Sequence, residues 1–163
     1  MKIKKTIRYM IAATVSMLTG CASVTHVTEP EAKRVLVEFF RNVDFEVYNR
    51  ESFRDLITDD FHIYEAGKHM SRIEFFEFIE STHSEATLSN DWQLSDFKIS
   101  TDHQSAHISY KNVGTFVSKT EDGKKSVLKF HWLENAYFVM DEGRLKIKFI
   151  HSQELQKQSS IQD

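Results

Sequence analysis

The sequence predicts an α+β domain in which N-terminal helices pack against a curved antiparallel meander sheet and form a cone. Two observations predict this class. Up to about residue 85 the apolar residues recur at helical spacing, and beyond it they alternate as in strands. Helices followed by a run of hairpin-connected strands are typical of α+β domains. Cones of this kind often enclose a ligand pocket.

The first helix is predicted to begin at Thr28. Thr28 and Glu31 have the spacing of a capping box, and Pro30 suits the first turn of a helix. The apolar residues that follow recur every three or four positions and predict a buried face: Ala32, Leu36, Phe39, Phe40, Val43 and Val47.

Two shorter helices and one strand follow. Asn49 is a candidate cap for a helix that carries Phe53, Leu56 and Ile57. Residues 61–65 alternate as a strand, and Gly67 turns the chain. Ser71 and Glu74 form a second capping box, which opens a helix whose predicted apolar face consists of Ile73, Phe76 and Ile79.

Strands are predicted for the rest of the chain. Alternating apolar residues lie within 92–99, 106–117, 127–140 and 145–150. Residues 121–124 (EDGK) and 141–144 (DEGR) have the composition of hairpin turns. Residues 153–163 are polar and are expected to fray.

Composition limits the possible functions. A chain of 163 residues is long enough for one domain, and its 40% hydrophobic content supports a core. A net charge of −3 argues against a nucleic-acid surface. One cysteine excludes an internal disulfide framework and a cysteine-based zinc site. The eight histidines show no metal-binding spacing, because His103 and His107 would lie about 13 Å apart on a strand. We therefore expect no metal and no cofactor.

The N-terminus has the pattern of a lipoprotein signal peptide. A basic segment with Lys2, Lys4, Lys5 and Arg8 precedes a short apolar run, which is too short to span a bilayer. Residues 18–21 (LTGC) then resemble a bacterial lipobox, which implies a diacylglyceryl group on the thiol of Cys21. The alternative is an ordinary signal peptide followed by a chance cysteine.

This pattern predicts both a domain organisation and a location. We expect a signal peptide over 1–20, a lipidated tether over 21–28, a folded domain over 29–155 and a polar tail over 156–163. The lipid would anchor the chain to a membrane. By resemblance to enterobacterial lipoproteins, Ala22 after the cysteine implies the outer membrane, with the domain facing the periplasm.

The folded domain resembles the nuclear transport factor 2-like superfamily, which has a cystatin-like fold and includes ketosteroid isomerases and polyketide cyclases. The resemblance rests on residues 56–61 (LITDDF) before a strand, Gly67, residues 71–73 (SRI) before a helix, and residues 141–147 (DEGRLKI) in the last hairpin. These marks predict a fold. They do not predict a reaction, because this fold hosts enzymes and non-enzymes alike.

The resemblance to ketosteroid isomerases names two candidate catalytic residues. Glu65 falls at the position of the general base, and the second acid falls near His131. Phe40 falls close to the helical tyrosine of those enzymes and lacks its hydroxyl, which argues against an isomerase. The alternative is a carboxylate in water at a strand end and a histidine with a structural hydrogen bond.

A ligand pocket would be lined by apolar side chains of the cone. The candidates are Phe39, Phe40, Phe61, Ile63, Phe76, Tyr110 and Leu133. The same phenylalanines can also be core residues that fill the cone.

Both faces of the strand around residue 131 carry apolar groups. Phe130 and Trp132 alternate with His131 and Leu133, whereas a sheet buried on one face alternates polar with apolar residues. The family commonly dimerises through the outer face of the sheet. We therefore expect Phe130 and Trp132 to contact a second copy or another partner, the alternative being contact with the domain's own C-terminal segment.

Three functions follow from these observations. The first is an envelope lipoprotein whose cone binds a small apolar ligand or a protein partner without catalysis. The second is an isomerase, dehydratase or cyclase with Glu65 as base and His131 as acid or oxyanion donor. The third is an interaction module whose cone is filled.

Overall fold

The computed structural model describes residues 26–162. The signal peptide, the lipobox and Cys21 lie outside the described residues. The elements in chain order are α1 (Glu29–Val43), a 3₁₀ turn (Arg50–Phe53), β1 (Ile57–Glu65), β2 (Lys68–Ser71), α2 (Arg72–Thr82), β3 (Thr87–Thr101), β4 (Ser105–Lys119), β5 (Lys125–Asp141) and β6 (Arg144–Gln162). This is the α+β class that the change of periodicity predicts.

Helix α1 begins where its capping residues predict. The Thr28 hydroxyl accepts a hydrogen bond from the backbone N–H of Glu31, and Pro30 lies in the first turn. The predicted apolar positions are buried up to Val43, where the helix ends. Val47 lies beyond the helix and is exposed, so its predicted place on the buried face is wrong.

Helix α2 begins with the predicted capping box. The Ser71 hydroxyl accepts from the Glu74 backbone N–H, and the Glu74 carboxylate accepts from the Ser71 backbone N–H at 2.7 Å. Its buried face consists of Phe75, Phe76 and Ile79. Ile73 is exposed instead, because the face that meets the sheet is rotated towards Phe75.

The six strands form one curved sheet in the order β2-β1-β6-β5-β4-β3. The pairings are antiparallel except that between β1 and β6, which is parallel, so the sheet is mixed and not the purely antiparallel meander expected. Strands β3 to β6 form the meander, and β6 is its last strand. Strand β1 pairs with the free edge of β6 and runs parallel to it. The backbone N–H of Ile147 donates to the carbonyl of Leu56 at the start of this pairing.

The polar C-terminal residues are strand and not the frayed tail we expected. Strand β6 continues to Gln162, and its last residues pair with the beginning of β5 from Lys125 onwards. The side chains there are exposed while the backbone is hydrogen-bonded, so side-chain polarity is a poor guide to this segment.

Phenylalanines fill the core between the helices and one half of the sheet. Phe39 of α1 contacts Phe53, Phe61 and Phe75, with ring centroids 5.5 to 6.0 Å apart. Phe53 in turn contacts Phe76 at 5.4 Å. These ring pairs are edge-to-face, tilted or stacked, and such aromatic contacts add to the stabilisation from burial alone.

Candidate functional site

The inner face of the sheet, which α1 covers, carries a group of polar side chains in its middle. Phe40 of α1 contacts the rings of Trp92 and Tyr110, and this contact identifies the inner face. Alternation along β4 and β5 then places Asn112 and Glu134 on the same face as Tyr110. We call Glu65, Tyr110, Asn112, Glu134 and Ser152 the buried polar cluster.

Glu134 lies at the centre of this cluster and is 5% exposed. Asn112 Nδ2 donates to its Oε2 at 3.1 Å, and Ser152 Oγ donates to its Oε1 at 2.9 Å. The cluster thus joins three neighbouring strands, β4, β5 and β6.

Several polar atoms around Glu134 have no partner. The Tyr110 hydroxyl, Asn112 Oδ1 and Trp92 Nε1 are buried and make no hydrogen bond within residues 26–162. Tyr110 itself is only 1% exposed. Nearly all buried polar groups in folded proteins are hydrogen-bonded, and an unpaired one costs about 1–3 kcal/mol. The Tyr110 hydroxyl faces the Glu134 carboxyl group, which is its possible partner within the chain. Asn112 Oδ1 and Trp92 Nε1 are left open to polar atoms from outside the chain.

Burial and neighbouring negative charge raise the pKa values of the acidic groups in the cluster. Burial raises the pKa of Glu134 to about 7, while the polar groups of Tyr110, Ser152 and Asn112 oppose the rise in part. Burial also raises the pKa of Glu65, and the charge of Glu154 adds to that rise. Burial and the charge of Glu134 hold the pKa of Tyr110 well above its ordinary value. Such a cluster can hold and release a proton near neutral pH.

Aromatic rings continue the inner face beyond the cluster. Phe130 and Trp132 stack with centroids 5.0 Å apart, and Trp132 stacks on Trp92 at 6.0 Å. Phe116 meets the edges of Trp92 and Phe130. We call Trp92, Phe116, Phe130 and Trp132 the aromatic wall.

Gly114 makes this wall possible. It lies between the rings, and a Cβ atom there would approach Trp132 Cζ3 to 2.7 Å and Trp92 Cζ3 to 3.0 Å. Either contact would push a ring away from the sheet.

The structure separates the two predicted catalytic residues. Glu65 lies on the inner face of β1, opposite Ser152 in register and close enough to Glu134 and Tyr110 for their charges to interact. His131 pairs with Val113 and Gln156 and lies on the outer face. The predicted pairing of Glu65 with His131 across the cone is therefore wrong, because adjacent residues of a strand face opposite sides and Glu134 is inward.

The predicted outward direction of Phe130 and Trp132 is wrong for the same reason, while contact of the chain with a second copy stays a prediction. Phe130 and Trp132 lie on the inner face within the aromatic wall, and Trp132 is 6% exposed without any second copy. Leu133, which we expected in the pocket, lies on the outer face with 37% of its surface exposed. The two sets of residues thus exchange their predicted sides.

The other predicted pocket residues lie on the expected side of the sheet. Phe39, Phe61 and Phe76 are buried in the phenylalanine core, and Ile63 is buried on β1 next to Glu65. Phe40 and Tyr110 lie beside the buried polar cluster. Contact of any of these residues with a ligand stays a prediction.

Sequence reasoning missed most of the cluster. The sequence reasoning does not name Asn112, Glu134 and Ser152 of the cluster, nor Trp92 of the aromatic wall, as site residues, although a signal was present for Asn112. Asn112 continues the alternation of Ala106, Ile108 and Tyr110, so a polar residue stands at an inward position. A polar residue in the apolar register of a strand is the pattern that marks such a site.

Two shallow depressions lie on the surface away from the cone. One is bordered by Thr58, Asp60 and Lys148, and the other by His62, His69 and Arg72. Among residues 26–162, no three His, Cys, Asp or Glu side chains are grouped so as to hold a metal ion. The helices described between residues 26 and 162 are all too short or too polar to cross a membrane.

Solved structures share this fold at low sequence identity. A hexachlorocyclohexane dehydrochlorinase LinA-type3 from Novosphingobium barchaimii LL02 is 6% identical over 80% of this chain and 88% of its own, with a TM-score of 0.65. A putative scytalone dehydratase from Novosphingobium aromaticivorans DSM 12444 is 13% identical over 79% of this chain and 85% of its own, with a TM-score of 0.61. A nuclear transport factor 2-like protein from Cytophaga hutchinsonii ATCC 33406 is 12% identical over 79% of this chain and 100% of its own, also with a TM-score of 0.61.

No protein-family model and no curated protein sequence matches the chain. The structural likeness shows a nuclear transport factor 2-like fold, as the sequence resemblance implied. Similar structures include proteins named as enzymes and proteins without a named activity, so the fold leaves the activity open.

Proposed function

We propose that this chain is a lipid-anchored envelope protein whose cone binds a small, mainly apolar ligand that ends in a polar group. The observation that carries the proposal is the set of unpartnered buried atoms: the Tyr110 hydroxyl, Asn112 Oδ1 and Trp92 Nε1. A ligand that supplies hydrogen-bonding atoms there would remove a penalty that the free protein bears.

The aromatic wall supports an apolar body for the ligand. Trp92, Phe116 and Phe130 are half-buried and begin next to the cluster, so one molecule can contact both. Binding sites of this kind combine apolar walls with a few convergent polar groups. Phe40 of α1 and Trp92 of β3 lie over the cluster, and we expect them to move apart when a ligand enters.

The proposed anchor is the diacylglyceryl group on Cys21, with the domain facing the periplasm from the outer membrane. Its support is the basic segment, the apolar run and the lipobox of the sequence. A lipid anchor would keep the cone at the surface where apolar molecules partition.

Native mass spectrometry of the gently purified chain tests the binding proposal. We expect a bound species that is lost on denaturation, and weaker retention in the double variant Tyr110→Phe, Glu134→Gln. The matched control is Tyr137→Phe on the outer face, which should retain the species. Equal retention in the double variant would place the ligand elsewhere, and a chain without any bound species would contradict the proposal.

A second candidate is an enzyme that moves a proton, and the chemistry of Glu65 favours it. Burial raises the pKa of Glu65 towards the range useful for a general base. Tyr110 and a protonated Glu134 are available as donors to a developing oxyanion, the role that the sequence predicts for His131. Glu65→Gln should then abolish turnover and preserve the fold.

Hydrogen–deuterium exchange into small carbonyl compounds separates the two candidates. Exchange by the native chain that disappears in Glu65→Gln and persists in the control Glu121→Gln, in an exposed turn, would favour the enzyme. Binding without exchange would favour the non-catalytic protein.

A further inference from the structure

A lysine of the chain already contacts the aromatic wall. The Lys157 ammonium lies 5.1 Å from the centroid of Phe130, whose ring stacks on Trp132. The faces of stacked aromatic rings attract cations through the negative charge of their π systems, and the attraction grows when water is excluded. The wall therefore has the chemistry of a site for a positive charge.

Carboxyl groups border the same end of the wall. Glu134 lies two residues from Trp132 on the same face of β5, and Glu154 lies opposite Trp132 in the register of β6. Glu65 pairs in register with Ser152, whose hydroxyl donates to Glu134. In the part of the chain that the structure describes, Glu65, Glu134 and Glu154 form no ion pair with a lysine, arginine or histidine. When these carboxyl groups are ionised, no cation of the described residues compensates their charge.

Buried polar atoms give a second indication that this acidic group is a binding site. The Tyr110 side chain is 1% exposed, and its hydroxyl faces the Glu134 carboxyl group without a hydrogen bond of normal geometry. Asn112 Oδ1, also buried and unpartnered, offers an acceptor beside it. An acceptor amide, a phenol and carboxylates together suit a group that donates hydrogen bonds and carries positive charge.

We propose that the ligand of the cone is an organic cation, with an ammonium group directed at Glu65, Glu134 and Glu154 and an apolar body on the aromatic wall. The inference rests on the proposed function and adds the sign of the ligand's charge. An anionic ligand would bring like charge to carboxyl groups that already repel each other. A neutral ligand would gain no charge attraction from these carboxyl groups when they are ionised.

Three probes that share a phenylethyl body and differ in charge test the inference: 2-phenylethylamine, 2-phenylethanol and 3-phenylpropanoate. Binding to the full chain in detergent is measured by titration calorimetry and by quenching of tryptophan fluorescence at pH 7.5. We expect the amine to bind at least about tenfold more tightly than the alcohol, and the carboxylate more weakly than both. Equal binding of amine and alcohol, or tighter binding of the carboxylate, would overturn the cation inference and leave the proposed function standing.

Variants show which side chains recognise the positive charge of the amine. Glu65→Gln and Glu134→Gln should each weaken the amine about tenfold and leave the alcohol unchanged, whereas Glu121→Gln should change neither. Lys157→Met should strengthen binding of the amine several-fold, because it removes a competing cation from the face of Phe130 at an exposed position. An amine affinity unchanged by all three cluster and wall variants would overturn the inference. If none of the probes binds, the inference is overturned too. The proposed function is then tested separately, by the native mass spectrometry experiment described above.

Discussion

The hydroxyl of Ser152 on β6 donates a 2.9 Å hydrogen bond to the carboxyl group of Glu134 on β5, inside the cone. This bond, together with that from Asn112, satisfies both carboxyl oxygens and fixes their direction. Burial nevertheless raises the pKa of Glu134 from its ordinary value of 4.5 to about 7. A single buried group thus links the stability of the fold to pH.

The first prediction concerns that link. Because the folded chain holds the Glu134 proton more tightly than the unfolded chain, the stabilisation from this group is fully present below pH 4.5 and is lost as pH rises through about 7. For this group alone the loss is about 3 kcal/mol. Urea unfolding between pH 4 and pH 8 should show the loss in the native chain and much less of it in Glu134→Gln. The control Glu121→Gln should keep it, and an identical pH dependence in all three chains would contradict the assignment.

The second prediction concerns Gly114. Gly114→Ala should lower the free energy of unfolding by about 1–3 kcal/mol, because the added methyl group overlaps the ring of Trp132. Urea unfolding followed by tryptophan fluorescence measures the loss and also reports displacement of the rings. Ser100→Ala, on an exposed position of β3, is the control. Native stability and an unchanged spectrum in Gly114→Ala would mean that the wall is not packed as described.

The third prediction concerns the unpartnered phenol. Tyr110→Phe should leave the ligand-free chain as stable as the native chain or more stable by about 1 kcal/mol, since it deletes a buried hydroxyl without a partner. Thermal unfolding of both chains gives the difference. Tyr137→Phe is the matched control. A destabilisation of Tyr110→Phe by several kcal/mol would show that the hydroxyl is already bonded within the protein.

The fourth prediction concerns the outer face of the sheet. We still expect a homodimer through this face, with Leu133 in place of Phe130 and Trp132 as a contact residue. Leu133→Lys should then shift sedimentation towards the monomer, because a buried unpaired ammonium is costly. Val37→Lys on an exposed position of α1 should leave it unchanged. A native chain that stays monomeric at high micromolar concentration would rule the dimer out.

The fifth prediction concerns the anchor. Cys21→Ser should abolish incorporation of labelled palmitate and release the chain from the membrane fraction, because the thiol is the proposed acceptor of the lipid. Replacing the neighbouring Ser23 by Ala should change neither property. Membrane association of Cys21→Ser at the native level would contradict the lipoprotein proposal.

The elements themselves could largely be predicted from local signals. Thr28, Ser71 and Glu74 mark both helix starts because capping depends on side chains within one turn. The end of α1 is harder to predict, because Val47 continues the apolar spacing although the helix ends at Val43. The pairing of β1 with β6 cannot be predicted from local sequence signals, because it joins segments that are far apart in the sequence.

The candidate site was predicted only in part, for a physical reason that can be stated. The alternation of β1 predicts the face of Glu65 correctly, whereas the sequence reasoning puts His131 and Trp132 on the wrong sides of β5. Both faces of β5 carry apolar residues at that point, so alternation alone gives no sign of which is inward. Only the register with Tyr110 and Asn112 decides it.

A crystal structure of the gently purified chain tests the central claim, that the cone is a ligand site built around unpartnered polar atoms. We predict non-protein density along the aromatic wall, with a polar atom about 3 Å from the Tyr110 hydroxyl. A cone without such density, in which the Tyr110 hydroxyl, Asn112 Oδ1 and Trp92 Nε1 are all bonded to protein atoms, would contradict it.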